Sequence, residues 1–254
     1  MMKDLLNSIL SIAKNAGDTF SDNRNFEVHE KSDISNIVTS MDIAIQNMVL
    51  SQLQKLLPQA SVFAEEEDRQ EMNDGYVWVV DPIDGTTNYA YDYKFSCISI
   101  ALLNHKEPCL AVVYNPYLKE AFYAIKDQGA YCNDKKIKVT THSLSSSVCT
   151  IGTSPYYKEY ADITFERMKK VFKNCRDIRR SGSAALDLCY LAAGRIDAFY
   201  EQKLSPWDYA AGTLIVKEAG GIIDSLDCFC FDQPISIVAG NPVNYEDFKN
   251  TLEE

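Results

Sequence analysis

The segment that most constrains this chain is residues 78–88, where an apolar run leads directly into Asp-Pro-Ile-Asp-Gly-Thr-Thr-Asn. The run predicts a buried β-strand, and we expect Pro82 to end it at Asp81, because proline has no N–H for the strand ladder. Asp84 follows three residues later, and a helix is predicted to begin at Gly85. Two carboxylates at the end of one strand favour a hard cation. The N–H groups of a helix start favour a phosphate.

A plainer interpretation of this segment is a turn followed by a helix cap, since Asp-Pro and Asp-Gly are common turn dipeptides. For either aspartate alone, that interpretation is favoured. The complete run favours a functional site, because a cap does not require two carboxylates, a glycine and two threonines together.

Two further carboxylate positions lie at the ends of predicted elements. Asp208 is in the first turn of a helix predicted over residues 207–218, where the helix dipole stabilises a negative charge. Glu65 begins a run of four carboxylates directly after a predicted strand that ends at Ala64. Alone, Asp208 is typical of a cap and the run is typical of a solvated surface. One loop separates the run from the Asp81 strand, so a glutamate of the run is a candidate ligand of the same cation.

The composition excludes several classes of protein. With 25 Lys+Arg and 36 Asp+Glu, the 254-residue chain has a formal net charge of −11, which repels nucleic-acid phosphates and favours cations. The 46% hydrophobic content excludes a disordered chain. We find no apolar run of the ~18 residues that span a bilayer and no signal peptide. The eight cysteines lie in apolar surroundings that favour free thiols. We therefore expect a cytoplasmic protein without membrane or nucleic-acid partners.

No linker, repeat or low-complexity segment divides the chain, so a single domain over residues 1–254 is predicted. Hydrophobic periodicity predicts helices over residues 3–17, 40–57, 157–173, 183–193, 207–218 and 244–252. It predicts strands over residues 61–64, 76–80, 96–103, 110–114, 120–125, 137–139, 148–152, 196–200, 221–223 and 235–239. The first helix is expected to end at Gly17, and Ser40 is the predicted cap of the second. This order of elements indicates a layered α/β fold with mixed sheets.

Two long motifs resemble those of the inositol monophosphatase family, a group of magnesium-dependent, lithium-sensitive phosphatases. The first family signature, Asp-Pro-Ile/Leu-Asp-Gly-Thr-Thr-Asn-Phe, matches residues 81–89, with Tyr89 in the last place. The second, Trp-Asp-x-Ala-Ala-Gly followed by Glu-Ala-Gly-Gly, matches residues 207–212 and 218–221.

Three shorter elements extend the resemblance over nearly the whole chain. The family's Val-Thr-x-x-Asp element is matched by residues 38–42, and residues 179–185 resemble the bacterial branch. The family's Gly-Glu-Glu element appears with Ala64 in place of glycine. Three glutamates follow Ala64, which leaves Glu65 and Glu66 as alternative ligands, and the motif register favours Glu65.

The resemblance implies a role for each matching residue. The implied metal ligands are Glu65, Asp81, Asp84, Asp208 and the backbone carbonyl of Ile83. The residues that orient and deprotonate the attacking water are Asp42, Thr86 and Glu65. The N–H groups of Gly85 and Thr86 hold the phosphate. The pocket for the alcohol is lined by Gly182, Ser183, Ala184 and Glu201, of which Glu201 binds substrate hydroxyls.

The resemblance also implies a fold and an activity. The expected fold is a five-layer αβαβα sandwich of two closely joined halves, roughly residues 1–145 and 146–254, in a homodimer. The expected activity is hydrolysis of a phosphate monoester by a metal-activated water in line with the leaving alcohol, with two to three Mg²⁺ ions per active site. The first candidate substrate, a small phosphorylated polyol or sugar, is myo-inositol monophosphate. Alternatives are fructose 1,6-bisphosphate, a 3′(2′),5′-bisphosphate nucleotide, NADP and histidinol phosphate. A non-catalytic regulatory binding protein is the alternative from another class.

Overall fold

The computed structural model describes residues 2–23, 25–30, 37–66 and 72–253, which form seven α-helices and three sheets. The helices are α1 (Met2–Asp22), α2 (Ser40–Leu56), α3 (Thr86–Ala90), α4 (Ala161–Asn174), α5 (Ala184–Ala192), α6 (Pro206–Glu218) and α7 (Tyr245–Glu253). The strands are β1 (Val28–Glu30), β2 (Ile37–Thr39), β3 (Ser61–Ala64), β4 (Tyr76–Asp84), β5 (Cys97–Asn104), β6 (Glu107–Asn115), β7 (Glu120–Ile125), β8 (Ala130–Cys132), β9 (Lys135–Lys136), β10 (Val148–Ile151), β11 (Asp177–Arg179), β12 (Ala198–Leu204), β13 (Ile222–Ser225) and β14 (Ile235–Gly240).

The elements stack in five layers. A seven-stranded sheet has the order β3-β4-β5-β6-β7-β8-β9, and a five-stranded sheet has the order β11-β10-β12-β14-β13. Helices α1 and α2 cover the outer face of the larger sheet, α5 and α6 lie between the two sheets, and α4 and α7 cover the outer face of the smaller sheet. Both large sheets contain parallel and antiparallel pairs. The predicted αβαβα sandwich with mixed sheets is confirmed.

Strand β4 shows why the central strands are continuous apolar runs in the sequence. Val77 and Val79 pack into the core with α5 and α6, whereas Trp78 and Val80 pack on the other face with α1 and α2. Because both faces of this strand are covered, its apolar residues do not alternate with polar ones along the sequence. Its end is therefore held rigidly between two cores, and this end carries Asp81 and Asp84.

The prediction that this strand ends at Asp81 is wrong, because β4 continues to Asp84. Its pairing with β5 is irregular between Asp81 and Asp84, so Pro82 lies where the regular ladder is interrupted. Residues three apart on a regular strand point to opposite faces. The irregularity removes that alternation, and it brings both carboxylates to one side.

Two predicted helix boundaries are also wrong. Helix α1 continues past Gly17 to Asp22. Gly17 does not end the helix. It allows a close contact with Tyr114, since a Cβ atom at this position would lie 2.5 Å from the Tyr114 ring. The cap of α2 is Thr39 and not Ser40, because the Thr39 side chain and Asp42 cap each other's backbone N–H groups.

The remaining differences concern short elements. Residues 137–139 are not a strand, and the helix predicted from 157 begins at Ala161 after a 3₁₀ turn. Strands β1, β2, β8, β9 and β11 were not expected from the sequence, because runs of two or three residues give little periodic signal. The larger sheet ends at Lys136 and the smaller one begins at Val148. The division of one domain into halves near residue 145 stays a prediction.

None of the described helices has the length and apolar composition needed to cross a bilayer. All eight cysteines are free thiols in the structure.

Candidate metal centre and active site

The carboxylates of the candidate site lie where strands β3 and β4 end and where helix α6 begins. Strands β3 and β4 are parallel with Ala64 beside Val80, so Glu65 and Asp81 follow at the same edge of the sheet. The Glu65 N–H donates to the Val80 carbonyl at 3.2 Å. Asp208 approaches from the first turn of α6, where its Oδ2 accepts from the Ser205 N–H at 2.7 Å.

These groups converge on one cavity of about 290 Å³. Asp81, Asp84 and Asp208 each offer an oxygen that lies within 4.8 Å of the others. Glu65 lines the same cavity without being part of this close group. Asp81 and Asp84 are buried and Asp208 is half-buried, so most of the cluster is shielded from bulk water.

Three hydrogen-bond donors hold the Asp84 carboxylate, and all three donate to the same oxygen. Its Oδ2 accepts from the Ser183 hydroxyl at 2.5 Å, from the Ala185 N–H at 2.9 Å and from the Cys97 thiol at 3.7 Å. The other carboxylate oxygen is left for a ligand. Hydrogen bonds of this kind fix the orientation of a metal-binding carboxylate.

The electrostatics of the cluster favour a cation. Burial raises the pKa of Asp81, and the charges of Glu65 and Asp84 raise it further. Burial also raises the pKa of Asp208, and the charges of Asp84 and Glu65 raise it further. Among the described residues, no lysine or arginine forms an ion pair with Asp81, Asp84 or Asp208. Closely spaced, uncompensated carboxylate oxygens fit a hard divalent ion such as Mg²⁺.

Asp42 and Thr86 form a hydrogen-bonded pair beside this cluster. The Thr86 hydroxyl lies 3.0 Å from Asp42 Oδ1 and 3.1 Å from the Ile83 carbonyl oxygen, so its one hydrogen has two possible acceptors. Asp42 Oδ2 accepts from the Thr39 N–H at 2.8 Å and from the Thr39 hydroxyl. Burial raises the pKa of Asp42 to about 6, which places its proton exchange close to neutral pH.

Glu65 and Glu66 point to different surroundings. Glu65 lines the cavity with the aspartates. The Glu66 N–H donates to the buried Gln46 side chain at 2.9 Å, and the charge of Glu66 acts on Asp42. This arrangement favours Glu65 as the ligand, and Glu67 lies outside the described residues.

Gly85 links the strand end to α3 in a conformation that favours glycine. Its φ is +85°, and a Cβ atom would lie 3.1 Å from the carbonyl oxygens of Gly182 and Phe95. The N–H groups of Gly85 and Thr86 precede the first helical bond, from the Tyr89 N–H to the Gly85 carbonyl, so neither has an acceptor within the helix. Both residues line the cavity.

The residues expected to line the alcohol pocket divide into two groups. Glu201 lines the cavity, and its Oε1 accepts from the Ser154 N–H at 2.9 Å. Burial raises the pKa of Glu201 to about 7. Ser183 is buried behind Asp84, and its hydroxyl donates to that carboxylate. The neighbouring Gly182 and Ala184 do not line the described cavity either.

Sequence reasoning did not single out several residues of the cavity wall. Tyr156 and Tyr157 follow β10, and Lys203 lies in β12. Ligands of α/β proteins collect at the carboxyl ends of strands, so the position of residues 154–157 after β10 is the signal that was present. Asp187 was also missed. It is buried, accepts from the Ser181 hydroxyl at 2.6 Å, and so holds the segment that carries Ser183.

The pKa shifts predict how stability depends on pH and on metal. In the metal-free folded protein, the pKa values of Asp81, Asp84 and Asp208 are raised above 3.8, the ordinary value. The folded chain then binds protons more tightly than the unfolded chain, so this contribution to stability is lost as pH rises from about 4 through the raised values. Mg²⁺ competes with those protons, and we expect it to raise the melting temperature more at pH 8 than at pH 5.

Thermal unfolding in EDTA and in excess Mg²⁺, at both pH values and at matched ionic strength, measures this difference. For a domain of this size, each kcal/mol corresponds to about 2–4 °C. An equal Mg²⁺-induced shift at pH 5 and pH 8 would contradict the assignment of these carboxylates as ligands.

The fold and the site define a layered α/β protein with a carboxylate centre suited to divalent cations. The chain belongs to the inositol monophosphatase family, whose sequence profile matches residues 2–253.

Individual relatives are similar over almost the full length. Nus factor SuhB of Escherichia coli K12 is 37% identical over 249 residues, covering 95% of this chain and 92% of that protein. Inositol monophosphatase 2 of Solanum lycopersicum is 36% identical over 264 residues, covering 100% and 99%. The crystal structure of extragenic suppressor protein SuhB from Bartonella henselae superposes with a TM-score of 0.91, at 31% identity and 99% coverage of both chains. A staphylococcal IMPase-II with inositol monophosphate bound has a TM-score of 0.82 at 26% identity, covering 98% and 94%.

Proposed function

We propose that this protein is a Mg²⁺-dependent phosphatase that hydrolyses the phosphate monoester of a small polyol, with myo-inositol monophosphate as the first candidate substrate. The observation that carries the proposal is the convergence of Asp81, Asp84 and Asp208 on the cavity that Thr86 also lines. The inositol monophosphatase name of the tomato relative and the inositol monophosphate in the staphylococcal structure support this choice of substrate.

The proposed ligands are side-chain oxygens of Glu65, Asp81, Asp84 and Asp208 and the carbonyl of Ile83, for two to three ions. Bound Mg²⁺ lowers the pKa of a coordinated water and offsets negative charge on the phosphoryl and leaving oxygens. The protein contributes the orientation of these oxygens. Ser183 and Ala185 fix Asp84, and the Ser205 N–H fixes Asp208.

Thr86 and Asp42 are proposed to handle the proton of the attacking water. When the Thr86 hydroxyl donates to Asp42, its oxygen lone pairs are free to accept a hydrogen bond from the water, and the proton passes through the hydroxyl to the carboxylate. Burial keeps the pKa of Asp42 at about 6, so a proton bound there is released again near neutral pH. Glu65 assists from the cavity wall.

The substrate is proposed to bind at two places. The N–H groups of Gly85 and Thr86 donate to phosphate oxygens. Glu201 binds the hydroxyls of the alcohol. Because its pKa is about 7, its carboxyl group is partly protonated at neutral pH, and it both accepts and donates hydrogen bonds.

A phosphate-release screen tests the proposal. We expect Mg²⁺-dependent release from myo-inositol 1-phosphate, no release in EDTA, recovery on adding Mg²⁺, and inhibition by Li⁺ as in the family. The panel includes fructose 1,6-bisphosphate, 3′-phosphoadenosine 5′-phosphate, NADP and histidinol phosphate, so that the preferred substrate is identified in the same assay.

The outcome that contradicts the proposal is the absence of release from every substrate by folded, Mg²⁺-loaded protein. That result would favour the alternative of a non-catalytic regulatory binding protein. We retain this alternative because the chain is similar to a protein named Nus factor SuhB. The homodimer and the cytoplasmic location stay predictions.

A further inference from the structure

Two of the eight cysteines lie in contact on the outer face of the smaller sheet. Cys149 is in β10 and is completely buried in the core that β10 forms with α4 and α7. Cys175 follows the last residue of α4, is half-buried, and packs against the same core. The two thiols are hydrogen-bonded to each other, and Cys175 is the more accessible of the two.

The backbone holds these thiols together. Strands β10 and β11 pair in parallel, with Val148 beside Asp177. The Arg176 N–H donates to the Ser147 carbonyl at 2.9 Å, so the residue after Cys175 is tied to the start of β10. Neighbouring strands lie about 4.8 Å apart, and the Cα atoms of a disulfide are usually about 4.4–6.8 Å apart. A bond between the two sulfur atoms is therefore compatible with the existing strand pairing.

The hydrogen bonds give the two thiols different reactivity. The Cys175 Sγ donates to the Asp177 carbonyl at 3.4 Å, so Cys149 is the donor in the bond between the thiols. That bond stabilises a Cys175 thiolate and lowers the pKa of Cys175. The same bond, followed by burial, raises the pKa of Cys149, which stays a thiol. The more accessible cysteine is thus the better nucleophile, because the thiolate is the reactive form.

An accessible thiolate beside a second thiol is the arrangement that reacts reversibly with hydroperoxides. The Cys175 thiolate attacks one oxygen of the hydroperoxide and the O–O bond breaks, which gives a sulfenic acid at Cys175 and an alkoxide or hydroxide that takes up a proton. The Cys149 sulfur then attacks the Cys175 sulfur, the Cys149 proton passes to the leaving hydroxyl group, and water is released. The two thiols lose two electrons to become a disulfide, and the hydroperoxide is reduced by the same two electrons.

We propose that Cys149 and Cys175 form a modification site, a dithiol that hydroperoxides oxidise to a disulfide and that thiol reductants restore, with Cys175 as the attacking thiol. Neither residue lines the cavity or belongs to the carboxylate cluster. The reaction is therefore independent of the proposed phosphatase function.

The position of this dithiol connects it to the candidate site through two strands. Tyr156, which lines the cavity, follows β10. Ser183, which donates to Asp84, follows β11. Oxidation would thus cross-link the segments that carry parts of the site, without changing any residue of the cavity.

Peptide mapping after oxidation tests the proposal. The folded protein is treated with a small molar excess of hydrogen peroxide, unfolded in an alkylating agent and digested with trypsin. Trypsin places Cys149 in the peptide of residues 139–158 and Cys175 in the peptide of residues 174–176. We expect these two peptides to be joined with the loss of two hydrogen atoms, and dithiothreitol to separate them again. Full alkylation of both cysteines after the peroxide treatment would overturn the proposal.

Two variants separate the roles of the two cysteines. Cys149→Ala removes the second thiol, so oxidation should stop at the Cys175 sulfenic acid, which dimedone traps. Cys175→Ser should give neither a disulfide nor a dimedone adduct at Cys149, because the accessible thiolate is absent. An adduct on Cys149 in Cys175→Ser as abundant as the one on Cys175 in Cys149→Ala would overturn the assignment of the attacking thiol. The joined peptides of the wild type are measured independently of whether either variant folds.

Cys109→Ser is the matched control. Cys109 is half-buried, and its Sγ donates to the Leu102 carbonyl at 3.3 Å, much as Cys175 donates to a carbonyl. Burial raises the pKa of Cys109, and no neighbouring thiol lowers it. This variant should form the disulfide between Cys149 and Cys175 as the wild type does. A loss of that disulfide as large as in Cys175→Ser would overturn the assignment of the pair.

Cys97 and Cys189 provide an internal control for access. They interact with each other electrostatically, and both are completely buried. We expect both to be recovered as alkylated thiols after the peroxide treatment. Their oxidation to a disulfide as fast as that of Cys149 and Cys175 would overturn the role of the accessible thiolate.

Discussion

Asp84→Asn is expected to abolish Mg²⁺-dependent phosphate release while leaving the protein folded. The Asp84 oxygen that accepts from Ser183 and Ala185 is retained as the amide oxygen, so the local hydrogen bonds persist. The amide nitrogen then occupies the place of the second oxygen and points N–H groups at the metal position. Losing metal chemistry worth several kcal/mol corresponds to a fall in kcat of roughly 10³-fold or more.

The role of Asp84 can also be tested without measuring turnover, through the stability and the Mg²⁺ affinity of the same variant. It removes one of several buried carboxylates that repel each other, so in EDTA at pH 8 it should be at least as stable as the wild type. Calorimetric titration should show that Mg²⁺ binding is weakened or lost. Asp134→Asn is the control, because Asp134 lies in an exposed turn with φ of +65°, which asparagine tolerates. Near-normal phosphate release by folded Asp84→Asn would rule out Asp84 as a ligand.

Thr86→Val should have the second-largest effect, a fall in kcat of about 10²- to 10⁴-fold, the usual contribution of a positioned proton-transfer group. Valine has nearly the shape of threonine and lacks the hydroxyl that lies 3.0 Å from Asp42. Mg²⁺ affinity should change little, since the side-chain oxygens of the metal ligands remain. The loss should therefore be seen in kcat and not in metal binding.

Thr86→Ser separates this role from packing. It keeps the hydroxyl, and its activity should stay within about tenfold of the wild type. Because valine leaves buried Asp42 with one donor fewer, stability should fall by about 1–3 kcal/mol, and activity is measured well below the melting temperature. If Thr86→Val keeps more than a third of wild-type turnover, the proton route through this hydroxyl is wrong.

Local chemistry made much of the candidate site predictable. The run from Trp78 to Asn88 contains a strand buried on both faces, two carboxylates and a helix start, and each of these is a property of adjacent residues. The helix around Asp208 was equally clear, since Pro206 begins it and glycines follow it. The elements with strong hydrophobic periodicity were found for the same reason.

Other features depend on contacts between distant residues. Gly17 suggests a helix end until Tyr114 packs against it. The choice between Glu65 and Glu66 depends on which one faces the cavity and which one joins Gln46. Lys203 and Tyr156 carry no motif, and their segments are brought together by the pairing of β10 with β12 and by the hydrogen bonds of Ser154.

The sequence alone determined the layered fold, the strand that carries Asp81 and Asp84, and the family to which the chain belongs, because these follow from patterns within short segments. Tertiary structure decided how the carboxylates converge. Asp81 and Asp84 would face opposite sides of a regular strand, and the irregular pairing of β4 with β5 turns them to one side. Asp208 joins them from α6, which lies between the two sheets. Such convergence depends on pairing register and helix packing, and neither is encoded in any one segment of the chain.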